Sequence, residues 1–352
     1  MSAVRIALPR RHRGRPTPAA RLAYEAEVAA FCAALLEFGS RVDFRVSARG
    51  WCYLLEGDGL AKGDFDAGEA LINDCRKSGA IPIDFCADDD SRAADGVELI
   101  IDFADPTDEA AWIVDQAFAA FEDYTPTSFW EPWDYYIEAA VEKVDLKGLF
   151  GPVCEPFRIP ITNFKGWADL NSRVAMIRRF AHWAERGKQG VLLYCGDFDP
   201  KGLEMSAFLR SNLNDLVKAA GVEGRWSADQ LIIDRFGLNL DFIEAQRLTW
   251  IDGLITGSDN DLADPDHRHH GRAYVQDYLR KYCTDPITGI VTPRKCEANA
   301  ILKVMPAGRE LCRQAILKYL PPAAPQGYQE FLEPLRERVR LEVAELLDGG
   351  AP

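Results

Sequence analysis

The chain has 352 residues, 47% of them hydrophobic and 11% aromatic, which suits two packed domains and excludes a disordered or fibrous protein. No apolar run approaches the roughly 20 residues of a membrane helix, and no apolar segment follows the basic N-terminus to make a secretory signal. The net charge of −14 by itself counts against a nucleic-acid partner, yet residues 1–21 hold six arginines (Arg5, Arg10, Arg11, Arg13, Arg15 and Arg21) and no acid. Such an arm either lies along a phosphate backbone or serves as a solubilising tail. The nine cysteines are odd in number and form no CxxC pair, so buried thiols in a reducing cytoplasm are expected, with neither a zinc site nor a disulfide framework.

In chain order, helical spacing of Leu22, Ala26, Ala29 and Ala33 predicts a helix from Pro18 to about Phe38. A short helix follows over Ser47–Glu56, and a third over Asp66–Ser78, with Arg76 and Lys77 in its last turn and Gly79 as its stop. Ile81–Phe85 and Val97–Phe103 read as strands, with Asp88–Asp90 as the turn or wing tip between them. Three helices and a small hairpin make a winged-helix, CAP-like arrangement, whose third helix would enter the major groove. A helix over 108–121 and an aromatic, proline-bearing connection over 124–136 come next. Strands are then predicted at Ile137–Val141, Phe157–Ile161, Val191–Cys195 and Leu231–Ile233, alternating with helices at Arg173–Arg186 and Gly202–Ala219. That alternation implies a parallel sheet with helices on its faces. From about Arg294 the chain reads as helical. The organisation is therefore a basic arm (1–21), a winged-helix domain (22–105), a connection (106–135) and an α/β domain with a helical C-terminal extension (136–352).

The most informative stretch is Val191-Leu-Leu-Tyr-Cys-Gly-Asp-Phe-Asp-Pro-Lys-Gly202. An apolar strand ends in Asp197-Phe-Asp199, and the C-terminal end of a parallel strand is where α/β proteins build sites. Two close carboxylates repel unless a proton or cation intervenes, and oxygen ligands of this kind suit Mg²⁺. A solvated turn is the plainer reading of a bare DxD. Glu142, which closes another apolar strand, reads either as a third metal ligand or as a surface carboxylate paired with Lys143. The run Asp264-Pro-Asp-His-Arg-His-His270 reads as an exposed turn in preference to a zinc site.

A glutamate at one strand end, the Gly-bearing loop Asn163–Arg173 and DxDPxG at a later strand end resemble the Toprim domain, in the version found in the topoisomerase VI A subunit and its meiotic double-strand-break relative. Ser47-Ala-Arg-Gly-Trp-Cys-Tyr53 is similar to that family's segment with an arginine four residues before the catalytic tyrosine, and Lys295-Cys-Glu297-Ala-Asn-Ala300 to a later segment. The resemblance spans about residues 40–320. It implies a Mg²⁺-dependent enzyme acting on double-stranded DNA in the cytoplasm as a homodimer, in which the tyrosine of one subunit works with the carboxylates of the other. Tyr53 would be the nucleophile and Arg49 its activator, with Glu142, Asp197 and Asp199 holding the metal. Lys165, Arg173, Lys201, Arg76 and Lys77 would meet DNA. Two departures stand out: Cys52 replaces an aromatic beside the tyrosine, and Lys201 replaces one after Pro200. No Gly-rich ATPase motif is present, so a topoisomerase would need a separate GHKL-type ATPase subunit. A Toprim nuclease without a covalent intermediate, and a non-catalytic DNA-binding or assembly module, are the alternatives.

Overall fold

A computed structural model describes residues 8–9, 17–57, 59–87, 105–120, 124–164, 170–255 and 261–348. Helix α1 (Pro18–Gly39) starts where Thr17 Oγ1 accepts the Ala20 N–H and Pro18 takes the first turn, a position at which its missing N–H costs nothing. Helix α2 (Ala48–Glu56) is capped by Ser47, whose hydroxyl oxygen accepts the Gly50 N–H at 3.0 Å. Helix α3 (Phe65–Ser78) ends on Gly79 at φ 76°, the left-handed stop that its sequence signals.

The expected strand at Ile81–Phe85 is instead a 3-10 turn over Ile83–Phe85. Pro82 has no N–H for a ladder, and the Arg76 guanidinium holds the Ile83 carbonyl through Nε at 2.8 Å and Nη2 at 2.6 Å. Among the described residues here, the pairing is one parallel bridge, Val46 with Cys86. The second expected strand, Val97–Phe103, and the Asp88–Asp90 turn lie outside the described residues. Helix α4 (Pro106–Ala119), capped by Asp105, begins two residues before its expected start.

Four strands form a parallel sheet in the order β2-β1-β3-β4: β1 (Tyr135–Val141), β2 (Ile161–Asn163), β3 (Gln189–Cys195) and β4 (Ile232–Gly237). The architecture is thus the mixed α/β one that the alternation predicts. Strand β2 begins at Ile161, where Phe157–Ile161 was expected to be strand. Glu155–Phe157 forms a 3-10 turn, Arg158 turns left-handed at φ 53°, and Pro160 can offer only its carbonyl, which accepts the Ala139 N–H at 2.8 Å. Strand β4 runs on to Gly237, past the expected Ile233, because Asp234 and Arg235 are both partnered. Asp234 accepts from Lys318 at 2.9 Å and from Tyr319 at 3.0 Å. The remaining connections are α5 (Val144–Cys154) and α6 (Leu170–Ala184), and the expected helix at Gly202–Ala219 is two pieces, α7 (Pro200–Leu203) and α8 (Met205–Asn214).

Strands β1 and β3 are buried on both faces, as central parallel strands are. The chain leaves β1 toward one edge of the sheet, by way of β2, and leaves β3 toward the other, by way of β4. The crevice at the C-terminal ends of β1 and β3 is therefore the switch point at which open α/β sheets bind ligands. Beyond β4 the chain adds α9 (Leu240–Ala245), a two-stranded antiparallel pair β5 (Ile251–Asp252) and β6 (Arg294–Lys295), α10 (Ala273–Tyr278), a 3-10 segment over Ala298–Val304, and two long helices, α11 (Met305–Leu317) and α12 (Ala324–Asp348).

Polar contacts tie the N-terminal helices to α5, the Ala298–Val304 segment and α11. Asp145, only 3% exposed, accepts hydrogen bonds from the Ser47 N–H (2.7 Å), the Ser47 hydroxyl (2.8 Å) and Asn299 Nδ2 (3.1 Å). Lys303 pairs with Glu56 at 2.8 Å, and Arg309 with Asp43 at 3.0 Å. These contacts press α2 against the Ala298–Val304 segment, which follows Glu297.

Candidate active site

Glu142 and Asp197 stand one and two residues beyond β1 and β3. Val141 pairs with Cys195, and the Glu142 N–H donates to the Cys195 carbonyl at 3.0 Å, so the two strand ends deliver their carboxylates side by side. Glu142 Oε2 accepts the Asp197 N–H at 2.9 Å. Asp197 Oδ1 accepts the Ala298 N–H at 2.8 Å. Lys143 Nζ lies between the two, 3.0 Å from Glu142 Oε1 and 2.8 Å from Asp197 Oδ2. Asp199 caps α7, its Oδ1 accepting the Gly202 N–H at 2.6 Å.

Two glycines make this loop possible. A Cβ on Gly202 would stand 2.1 Å from the Asp197 carbonyl oxygen, and one on Gly196 would stand 2.1 Å from the Tyr194 hydroxyl. Arg235 staples the loop from β4, donating to the carbonyls of Gly202 (2.7 Å), Asp197 (2.7 Å), Gly196 (3.0 Å) and Leu238 (3.0 Å). Phe198 points into an aromatic cluster with Trp250, Tyr278 and Tyr282. Its backbone bridges Cys296, which brings Glu297 to the loop.

The charges are unevenly compensated. Burial pushes Asp197 up to about 7; Lys143 opposes this, and repulsion from Glu142 and Asp199 adds to it. Burial also raises Asp199, against the pull of the Gly202 N–H. Glu142 is buried too, but Lys143 and the Asp197 N–H together hold it below the usual carboxylate range. Lys143 is raised, because its two carboxylates outweigh its burial. Three half-buried acids thus crowd together, with Lys143 bridging two of them and Lys295 adding a weaker pull on Asp199. The oxygen donors of this cluster are of the hard type that a divalent cation takes, but among the described residues no three His, Cys, Asp or Glu side chains are gathered closely enough to hold one. Lys143 fills the space between Glu142 and Asp197.

Tyr53, on α2, is 1% exposed, and its hydroxyl is buried without a hydrogen-bond partner. Its ring meets the edge of Phe65, with centroids 4.9 Å apart. A cavity of about 370 Å³ joins Tyr53 to Arg49, Lys143, Glu297 and Asn299. Arg49 shares this cavity, but its guanidinium pairs with Asp66 at 3.0 Å and Glu69 at 3.5 Å on α3. The cation over the Tyr53 ring is Lys62, with Nζ 4.3 Å from the centroid and 4.0 Å from Glu297. Burial lowers Lys62 to about 8. A roomier apolar cavity of about 600 Å³, between Thr127–Trp133 and α12, is remote from these groups in the fold and offers little polar chemistry.

The candidate DNA contacts are dispersed. Arg76 is committed to the Ile83 carbonyl, and Lys77 is exposed beside Asp74. Asp66, Glu69 and Asp74 give α3 more acids than bases. Arg173 lies in the first turn of α6 with its Nε buried and unpartnered, and Lys201 is exposed on α7. Lys165 lies outside the described residues. In the Asp264–His270 turn, Asp264 accepts from the Asp266 N–H at 2.9 Å, and His270 Nδ1 sits 3.0 Å from the Leu262 carbonyl.

Lys62, Asp145 and Arg235 carry no motif that sequence reading could have found, and Asn299 was quoted only as part of the Lys295–Ala300 segment, with no role assigned. Only Lys143, adjacent to Glu142, gave a local signal. Comparison with family models, curated proteins and solved structures finds no match for this chain.

Proposed function

We propose that this chain breaks DNA strands by tyrosine transesterification, with the three helices α1–α3 as a winged-helix-like DNA-binding part and the parallel sheet as a Toprim-like part. The observation that carries the reading is the cavity that Tyr53 shares with Lys143, the lysine bound to Glu142 and Asp197. Tyr53, whose hydroxyl has no hydrogen-bond partner, and the lysine that bridges the strand-end acids thus line one space.

In the proposed step the Tyr53 oxygen bonds to phosphorus, and the bond from phosphorus to the deoxyribose oxygen breaks. A phosphotyrosine link remains, which religation can reverse. Glu297, raised by burial and lining the same cavity, is the acceptor available for the phenolic proton; the departing deoxyribose oxygen takes a proton from water. Lys62 and Arg49 place positive charge beside the tyrosine, and Arg173 would meet a phosphate through the exposed part of its planar fork. Glu142, Asp197 and Asp199 would hold Mg²⁺, which would neutralise charge on the transferred phosphate. A homodimer would set two such centres on opposite strands, and a separate GHKL-type ATPase would drive strand passage.

One observation favours a hydrolytic Toprim nuclease as the second reading: Tyr53 is almost fully buried, so the carboxylates would act without it. Tyr53→Phe separates the two, because it removes one hydroxyl and keeps the ring packed against Phe65. With end-labelled DNA on a denaturing gel, the transesterase reading expects a wild-type protein–DNA adduct and no cleavage by the variant. Robust cutting by Tyr53→Phe with no adduct would overturn it in favour of hydrolysis.

A further inference from the structure

The geometry points to Lys62 as a nucleophilic amine and a site of acylation, with a small acyl phosphate as the donor. This goes beyond the proposed strand breakage and does not rest on it.

Three observations carry it. Among the described residues Lys62 Nζ has no hydrogen-bond acceptor, and its nearest carboxylate, Glu297 Oε2, stands 4.0 Å away. Lys143 and Lys303 are comparably covered, but each holds a carboxylate 2.8 Å from Nζ, which favours the protonated form. The surroundings of Lys62 are also both apolar and cationic. Its Nζ lies 4.3 Å from the Tyr53 ring centroid and 5.1 Å from that of Phe65, and repulsion from Lys303 and Arg49 disfavours its charge. Lysines become nucleophiles in such settings, desolvated and beside other cations. Finally, 25% of the side chain remains exposed, so a small donor can reach it.

Burial lowers Lys62 from 10.5 to about 8; Glu56 and Cys296 oppose the shift, and Lys303 and Arg49 add to it. At pH 7.5 the free amine is then on the order of a hundredfold more abundant than in an ordinary lysine. In the step, the Nζ lone pair bonds to the acyl carbon, and the bond from that carbon to the phosphate oxygen breaks. The proton shed by the nitrogen passes by way of Glu297 to the departing phosphate, which leaves as hydrogen phosphate. The charges of Arg49 and Lys303 favour this anionic donor over an uncharged thioester. The product is a neutral amide, so acylation removes the cation that lies over Tyr53 and its pairing with Glu297.

The test treats the full wild-type chain with acetyl phosphate and reads initial acetylation rates, lysine by lysine, by peptide mass spectrometry. Lys201, exposed on α7, is the internal reference. At pH 7.5 Lys62 should acetylate at least about tenfold faster than Lys201, the remainder of the hundredfold being lost to restricted access. Its rate should level off above a midpoint of about 8. In urea the two lysines should react alike, because the advantage comes from the folded surroundings; no variant has to fold for any of these arms. An uncharged acetyl thioester should give a smaller ratio of Lys62 to Lys201 than acetyl phosphate does. Lys62 reacting no faster than Lys201, or an advantage that survives unfolding, would overturn the inference. A larger ratio with the thioester would overturn the choice of donor. Each of these outcomes is independent of whether a Tyr53 adduct forms with DNA.

Discussion

Replacing Asp145 with alanine tests whether the tyrosine helix is held on α5 by one buried carboxylate. Asp145 accepts three hydrogen bonds, two from Ser47 and one from Asn299, and is 3% exposed. A hydrogen bond to a charged group contributes about 1.5–3 kcal/mol. The three do not add, because water can enter the vacated volume and Ser47 keeps its own bond to the Gly50 N–H. Asn299 has no such relief: its Oδ1 is already unpartnered, and the variant strands its Nδ2 as well. A loss of about 3 kcal/mol is expected for Asp145→Ala, and roughly half that for Asp145→Asn, which keeps the shape and one acceptor oxygen. The assay is urea unfolding followed by tryptophan fluorescence, with Trp51 on α2 as the reporter nearest the contact in sequence. A loss below about 1 kcal/mol for the alanine variant would refute the reasoning, since it would mean that these bonds are no stronger than the water contacts replacing them.

Gly202→Ala should disrupt the acidic loop, because the new Cβ would meet backbone, the Asp197 carbonyl, at 2.1 Å. The expected result is a fall of several degrees in melting temperature with loss of Mn²⁺ binding, and wild-type values for both would show that the loop yields easily. Lys62 makes a pH prediction. Its folded midpoint, lowered by burial to about 8, lies below the ordinary lysine value of 10.5, so between these pH values the unfolded chain binds more protons and stability rises with pH. Lys62→Met removes that dependence, so any stability advantage of the variant should be largest below about pH 8 and shrink toward pH 10.5. Its ceiling is roughly 3 kcal/mol, and the partial exposure of Lys62 and its stacking on Tyr53 and Phe65 reduce it. A stability difference that stays constant from pH 7 to 10 would contradict the assignment.

Local signals predicted much of the architecture because their physics is local. Thr17 and Pro18 start α1, Ser47 starts α2 and Gly79 stops α3, each through backbone groups within a few residues. The apolar run of β3 and the largely apolar β1, broken only by Glu138, read as strands, and their ends marked Glu142 and Asp197. The expectation failed where a distant partner decided the outcome. Ile81–Phe85 is not a strand because Arg76 holds the Ile83 carbonyl, and β4 outlasts its apolar run because Lys318 and Tyr319 satisfy Asp234 while Arg235 binds four carbonyls.

By itself, then, the sequence determined the alternating α/β plan, the capped helices and the acids at two strand ends, since caps and periodicity act over a few residues. Tertiary structure alone decided what those acids face. It put Lys143 between Glu142 and Asp197, tied Arg49 to α3, set Lys62 over Tyr53 and closed the cavity with Glu297 and Asn299. Contacts between groups so far apart in the chain leave no spacing to read, because their energy comes from burial and charge pairing that exist only once the sheet and helices have packed.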